Sequence, residues 1–323
     1  MVFDKEAAFE EAVITVLKQH GWDDAGGVLR YPTEQDLINN WAKILFQNNA
    51  DIDRLNGCPL TQGEMAQVIE QIETLKTPLA LNGFINGKTV AITRDNPDDA
   101  LHLGKEVSLK IYDRQEIAAG QSRYQIAQQP VYPAKSKILN DRRGDLCLLI
   151  NGMPVIHIEL KRSGVPVSQA TGQIEKYAHE GVFTGLFRLV QIFVGMTPDE
   201  ARYFANPGAG AFNPNFYFHW EDFNNEPVCA GDKPGTGEWK RFTSTLLSIP
   251  MAHQLIGFYT VADSSDGCLK VMRSYQYYAA AAISDKVRRC KWDEPRHSSA
   301  PGRPGGYIWH TTGSGKTMTS FKS

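Results

Sequence analysis

No stretch of this 323-residue chain reaches the ~18 uninterrupted apolar residues that a membrane-crossing helix requires, so no membrane partner is expected. Its opening, Met-Val-Phe-Asp-Lys-Glu, carries acids where a secretory leader would have a basic start and an apolar core, so no leader is expected either. Cysteine is sparse: Cys58, Cys147, Cys229, Cys268 and Cys290 are odd in number and form no Cys-x-x-Cys pair. No histidine stands near them at zinc-ligand spacing, and His102, His179, His219 and His253 form no ligand set among themselves. These absences exclude a disulfide scaffold and a zinc finger, and fit reduced thiols in a cytoplasmic protein. The net charge is only −2, so nothing global points to nucleic acid and any DNA-binding charge must be local. Internal repeats are absent as well.

Local charge is present in two places. Lys135, Lys137, Arg142, Arg143, Lys161 and Arg162 gather around Asp141, Asp145 and Glu159, and a second cluster comprises Lys286, Arg288, Arg289, Lys291, Arg296 and Arg303. The length suggests two units, since domains cluster near ~100–200 residues. Apolar periodicity predicts helices over 5–20 (stripe Ala8, Phe9, Val13, Ile14, Leu17, stopped by Gly21), 35–48, 61–75 with a capping box at Thr61, 168–180 and 239–262. Alternation or short apolar runs predict strands over 107–111, 189–194, 216–220 and 307–309, whereas 82–99 reads as turns around short strands and 207–213, 229–237 and 301–306 read as loops.

The richest segment is Gly144 to Gly164, in which Asp145 precedes two apolar runs joined at Asn151-Gly152 and followed by Glu159-Leu160-Lys161. Alternation puts Val155, His157, Glu159 and Lys161 on one strand face and Ile156, Ile158 and Leu160 on the other. Phosphodiester hydrolysis uses a divalent ion, and magnesium accepts one or two carboxylates with waters, which Asp145 and Glu159 can supply. A nearby lysine can hold the attacking water and stabilise the transition state. Register imposes a condition: a plain two-residue Asn151-Gly152 turn pairs Asp145 with Ile158 and leaves it on the wrong face. Either a three-residue loop with Gly152 left-handed or a bulge elsewhere must restore it. Downstream, Gln173 and Tyr177 lie four apart and share one helix face. His157 shares the catalytic face but, as a lone strand histidine, receives no role.

As a set, these residues resemble the PD-(D/E)xK nuclease superfamily in its subgroup with a Gln-x-x-x-Tyr helix. The resemblance implies an α/β fold with a mixed central sheet flanked by helices. It implies Asp145 and Glu159 as metal ligands with the Leu160 carbonyl, Lys161 as the catalytic lysine, and Gln173 and Tyr177 as residues that position the DNA backbone. Mg2+ is the implied cofactor, with Mn2+ able to substitute. An acid on the first helix also approaches the metal in relatives, and Glu10 is preferred over Glu11 for that place. The proline that often precedes the first acid is Gly144 here.

Near the end, His310-Thr-Thr-Gly313-Ser314-Gly315-Lys316-Thr317 would aim backbone N–H groups, the lysine and the Thr hydroxyl at phosphates and magnesium. Upstream, Arg273-Ser-Tyr-Gln276 resembles the adenine-recognising segment of superfamily 2 helicases, so both stretches are candidate ATP-binding residues. No apolar strand with an acidic pair follows the loop, and Asp293-Glu294 is no substitute, so ATP turnover by this chain alone is not expected. The motif order is similar to the R subunit of type I restriction-modification enzymes, as are Leu55-Asn-Gly, Arg202-Tyr-Phe-Ala-Asn206 and 216–220. For this chain the resemblance implies a nuclease domain over 1–255 and the start of a RecA-like helicase domain over 256–323. It further implies a type I site-specific deoxyribonuclease acting on double-stranded DNA, using ATP in the full enzyme, in complex with specificity and methylation subunits. The residues also allow a non-cleaving DNA-binding or subunit-docking module, or a stand-alone ATPase.

Overall fold

Capping chemistry sets the early helices in the computed structural model, which describes residues 2–22, 27–115, 122–133, 142–208, 212–264, 267–290 and 306–323. Lys135, Lys137, Asp141, Lys291, Asp293, Glu294, Arg296, Arg303 and most of the 301–306 loop lie outside the described residues. Helix α1 (Glu6–Gln19) buries Phe9, Val13, Ile14 and Leu17, whereas Ala8 faces solvent and Glu10 is buried in its stead. Helices α2 (Glu34–Asn48) and α3 (Gln62–Thr74) open with reciprocal capping boxes, Thr33 with Asp36 and Thr61 with Glu64, which satisfy otherwise orphaned N–H groups. Helix α4 (Pro78–Asn86) corrects the expected turns over 82–86: the Thr77 cap and Pro78 in the first turn start a helix that Asn82 and Gly83 do not break.

Three small antiparallel pairs surround the main sheet: β2 (Thr89–Thr93) with β3 (Glu106–Lys110), β5 (Val131–Tyr132) with β6 (Arg142–Arg143), and β11 (Thr260–Asp263) with β12 (Cys268–Val271). The turn after β2 is tied to α3 by the fully buried Arg94, which pairs with Glu64 at 2.6 Å and with Asp99 at 3.0 Å. The main sheet has six strands, in the order β1 (Leu29–Arg30), β4 (Tyr124–Gln128), β7 (Leu146–Ile150), β8 (Met153–Leu160), β9 (Ile192–Met196) and β10 (Ala201–Ala205). Its pairs are parallel at β1/β4 and β8/β9 and antiparallel elsewhere, so the sheet is mixed. Strand β4, Tyr-Gln-Ile-Ala-Gln, has no apolar alternation to announce it. It is nevertheless wholly buried, because Gln125 exchanges hydrogen bonds with Asn40 and Gln128 donates to Glu10.

Strands β7 and β8 are buried along their full length and form the centre of the sheet. The loop between them is the plain two-residue turn, with Asn151 and Gly152 both at positive φ (51° and 83°) as a type I′ turn demands. Ile150 pairs with Met153 and Leu149 with Pro154, but Leu148 pairs with Ile156, which leaves Val155 as the extra residue of a bulge. The register is thereby shifted by one residue, as the chemistry required, through a bulge rather than a longer loop.

Helix α5 (Val167–Glu180) links β8 to the parallel β9, packs on both, and ends at left-handed Gly181. Its close approach needs Gly195 in β9: a Cβ there would lie 2.9 Å from the Thr171 methyl. Several expected elements differ. Strand β9 starts at Ile192 because Gly185–Leu189 winds into a 3-10 turn. Only Phe218 of 216–220 bridges β10, since Pro214 opens a short turn over Pro214–Phe216. The helix expected over 239–262 is divided into α6 (Glu238–Thr245) and α7 (Ile249–Gln254), with Pro250 in the first turn of α7 and β11 starting at Thr260. Residues 307–309 are not in a strand, and Tyr307 and Trp309 are 88% and 87% exposed. Helices α8 (Ser274–Arg289) and α9 (Lys316–Phe321) complete the described chain.

Candidate active site

Continuing the shifted β7/β8 register one step past Leu146 and Ile158 puts Asp145 opposite Glu159. Asp145 Oδ2 accepts the Leu160 N–H at 2.7 Å, and the Asp145 carbonyl accepts the Gln129 N–H at 2.7 Å. Burial, reinforced by the Glu159 charge, pushes the Asp145 carboxyl up to about 8. Burial does the same to Glu159, to about 8, with the Lys161 ammonium opposing it. Both Glu159 oxygens are buried without a hydrogen-bond partner, a costly arrangement for a carboxylate. Lys161 lies one residue past the end of β8, and its Nζ donates to the Leu160 carbonyl at 3.0 Å and lies 3.8 Å from Glu6.

An orphaned buried carboxylate beside a second acid and an adjacent carbonyl is a donor set that a small divalent cation fits. Among the described residues, no cluster of three or more His, Cys, Asp or Glu side chains could hold a metal ion, so any such site here is the sparse kind that magnesium accepts. Glu10 is buried and close enough for the Asp145 charge to help raise its carboxyl, after burial itself. Its oxygens, however, are held by the Gln128 and Gln129 side-chain amides. Sequence reasoning missed these two glutamines, which follow no recognisable pattern.

A groove of about 450 Å³ is lined by Arg142, Lys161, Gln169, Gln173, Lys176 and Tyr177; Lys161 is its link to the site, since neither carboxylate lines it. Gln173 donates to the Tyr177 hydroxyl, which donates to the Arg143 carbonyl, both at 2.7 Å, so the two helix residues tie α5 to β6 and border the groove. Arg142 is held by Glu180 through two bonds of 2.9 and 3.0 Å. His157 is fully buried, neutral because burial holds its imidazole down at about 4, and its Nε2 stands 3.1 Å from Glu159 Oε1.

A second cavity, also about 450 Å³, is walled by Phe204, Phe218, Arg273, Gln276, Gly313 and Ser314 among others. Gln276 accepts the Arg273 N–H at 2.9 Å and donates to the Ser314 carbonyl at 2.9 Å, and the Tyr275 hydroxyl donates to the same carbonyl. Gly313 and Gly315 take positive φ, and α9 begins at Lys316, so the loop feeds a helix as expected. Lys316 and Thr317 are exposed and do not line the cavity. Among the described residues no helix is long and apolar enough to cross a membrane.

Comparison with known proteins adds independent findings. Residues 4–211 match the family described as the type I restriction enzyme R protein N terminus, and residues 275–323 match the SWI2/SNF2 ATPase family. The whole chain is 31% identical to the type I restriction enzyme SsaAORF53P endonuclease subunit of Staphylococcus saprophyticus, and 28% identical to the SauMSSORF170P endonuclease subunit of Staphylococcus aureus. It spans 30% of the length of each. A segment covering 45% of the chain, and 45% of the relative, is 33% identical to the EcoprrI endonuclease subunit of Escherichia coli.

Proposed function

The chain belongs to the family of type I restriction enzyme R proteins, of which it carries the amino-terminal domain, and from that premise we propose that it cleaves DNA phosphodiester bonds at the Asp145–Glu159–Lys161 site. The observation that carries this reading is the Val155 bulge, which brings Asp145 opposite the fully buried Glu159. The mixed sheet with a helix linking its parallel strands agrees with a PD-(D/E)xK nuclease fold. Asp145, Glu159 and the Leu160 carbonyl would hold Mg2+ or Mn2+, which when bound supplies positive charge against the scissile phosphate and acidifies water. Lys161 now rests on that same carbonyl; released from it, the ammonium orients the attacking water and stabilises charge on the phosphate oxygens. Lys176 and Arg142 attract the DNA backbone to the groove, while Gln173 and Tyr177 fix its distance from the carboxylates.

In the same reading, residues 1–255 form the nuclease unit and 256–323 begin a helicase-like unit, in which Arg273, Gln276 and the 313–317 loop bind ATP. The whole enzyme would couple cleavage to ATP-driven translocation along double-stranded DNA and would assemble with specificity and methylation subunits in the cytoplasm.

The test is Mn2+- or Mg2+-dependent nicking of plasmid DNA without ATP, for the parent, Asp145→Ala and Lys161→Ala. Nicking is expected from the parent, with loss of at least about 100-fold in each variant while a cooperative thermal melt shows it still folded. Equal nicking by the variants sinks the assignment. DNA binding that is independent of metal and intact in Asp145→Asn, without nicking, would instead identify a non-cutting module.

A further inference from the structure

His157 is packed against Phe183, Tyr177 and Phe193, with ring centroids 5.4, 6.4 and 6.1 Å away, so it is enclosed by aromatic rings. A polar ring so enclosed needs partners for both nitrogens. Nδ1 has one: the Tyr132 hydroxyl, itself fully buried, lies 2.8 Å away. Nε2 faces Glu159 Oε1 at 3.1 Å, within reach but off the line of a hydrogen bond. If the tyrosine donates to Nδ1, the single imidazole proton sits on Nε2, the ring nitrogen beside the carboxylate. With Glu159 ionised, as a bound cation requires, the opposite tautomer would set a bare nitrogen lone pair against carboxylate oxygen, which in a buried site is repulsive.

The backbone is arranged around this contact. A Cβ on Gly144 would lie 2.6 Å from His157 Cε1 and 2.8 Å from the Tyr132 hydroxyl. Glycine, standing where the resembling nucleases often carry proline, therefore leaves the space that the Tyr132–His157 pair fills, directly before Asp145.

We infer that Tyr132 and His157 form a positioning relay, in which the tyrosine hydroxyl fixes the imidazole tautomer and the Nε2–H holds Glu159 Oε1 so that the carboxylate is presented to a divalent cation shared with Asp145. The inference rests on the metal-site reading above. Neither residue touches the scissile phosphate; both act through Glu159. A partner of this kind to a ligating carboxylate governs affinity by orientation, and its loss typically weakens metal binding ~10–100-fold.

The experiment is calorimetric titration of the full chain with Mn2+, alongside His157→Leu, His157→Gln and Tyr132→Phe, each checked for folding by thermal melting. With Mg2+ bound to the parent, 15N chemical shifts of the His157 ring report the tautomer. His157→Leu should bind Mn2+ more weakly by at least about tenfold. His157→Gln, whose amide can donate from near the Nε2 position, should stay within a few-fold of the parent, and the parent ring should carry its proton on Nε2. A merely structural histidine predicts the reverse order, because leucine suits an apolar enclosure better than glutamine does. Parent-like affinity in a folded His157→Leu, or a proton on Nδ1, overturns the relay and leaves the metal site standing. A parent that takes up no Mn2+ overturns the metal site and the relay together.

Discussion

At the scale of single residues, the candidate site is two acids forced together. A carboxyl whose pKa in the folded state lies above its unfolded value binds more protons folded than unfolded, so its contribution to stability is lost as pH rises. For Asp145 and Glu159 that contribution is complete below their ordinary values of 3.8 and 4.5 and disappears as pH climbs through about 8. Urea midpoints measured with a chelator should therefore fall between pH 5 and pH 8, and saturating Mg2+ should flatten the fall by favouring the ionised pair; a pH-independent difference between the two series would contradict the assignment. The proximity of Asp145, Glu159 and Lys161 could be read from the sequence because they are local to one hairpin. Gln128, Gln129, Tyr132 and the importance of His157 could not, because each becomes meaningful only through a partner brought from elsewhere in the fold.

At the scale of elements, the hairpin and the helix beside it fix where the groove lies. Register reasoning required a one-residue correction between Asp145 and Glu159, and the bulge at Val155 provides it, although an apolar run gave no hint of which residue would bulge. The capping boxes of α2 and α3 show why helix starts were legible, and Pro250 shows why the helix expected over 239–262 was not continuous. The contact between α5 and β9 yields a direct prediction. Gly195→Val would drive side-chain atoms into Thr171 and Ala170, where even a Cβ would come within 2.9 and 3.3 Å. Overpacking of that kind costs about 1–3 kcal/mol, readable as a lower urea midpoint. It should also weaken DNA binding, because Gln173 and Tyr177 ride on the displaced helix.

At the scale of the whole molecule, two short motifs far apart in the chain meet in one cavity, where Gln276 bonds the Ser314 carbonyl. Their order along the sequence was legible, whereas the aromatic wall supplied by Phe204 and Phe218 was not, since it depends on β10 and the segment bridged to it. A nonhydrolysable ATP analogue should raise the melting temperature of the chain, and Gln276→Ala should remove that rise; an undiminished rise would dissociate Gln276 from nucleotide binding. The two-residue turn at Asn151-Gly152 carries a consequence for how the molecule assembles. Hairpins close in ~1–10 μs, whereas pairing β1 with β4 must first close a far longer loop at greater entropic cost. By that reasoning the two acids should meet face to face early, before α1 and the outer strands pack around them, and a cation captured at that moment would act as a template for the rest of folding.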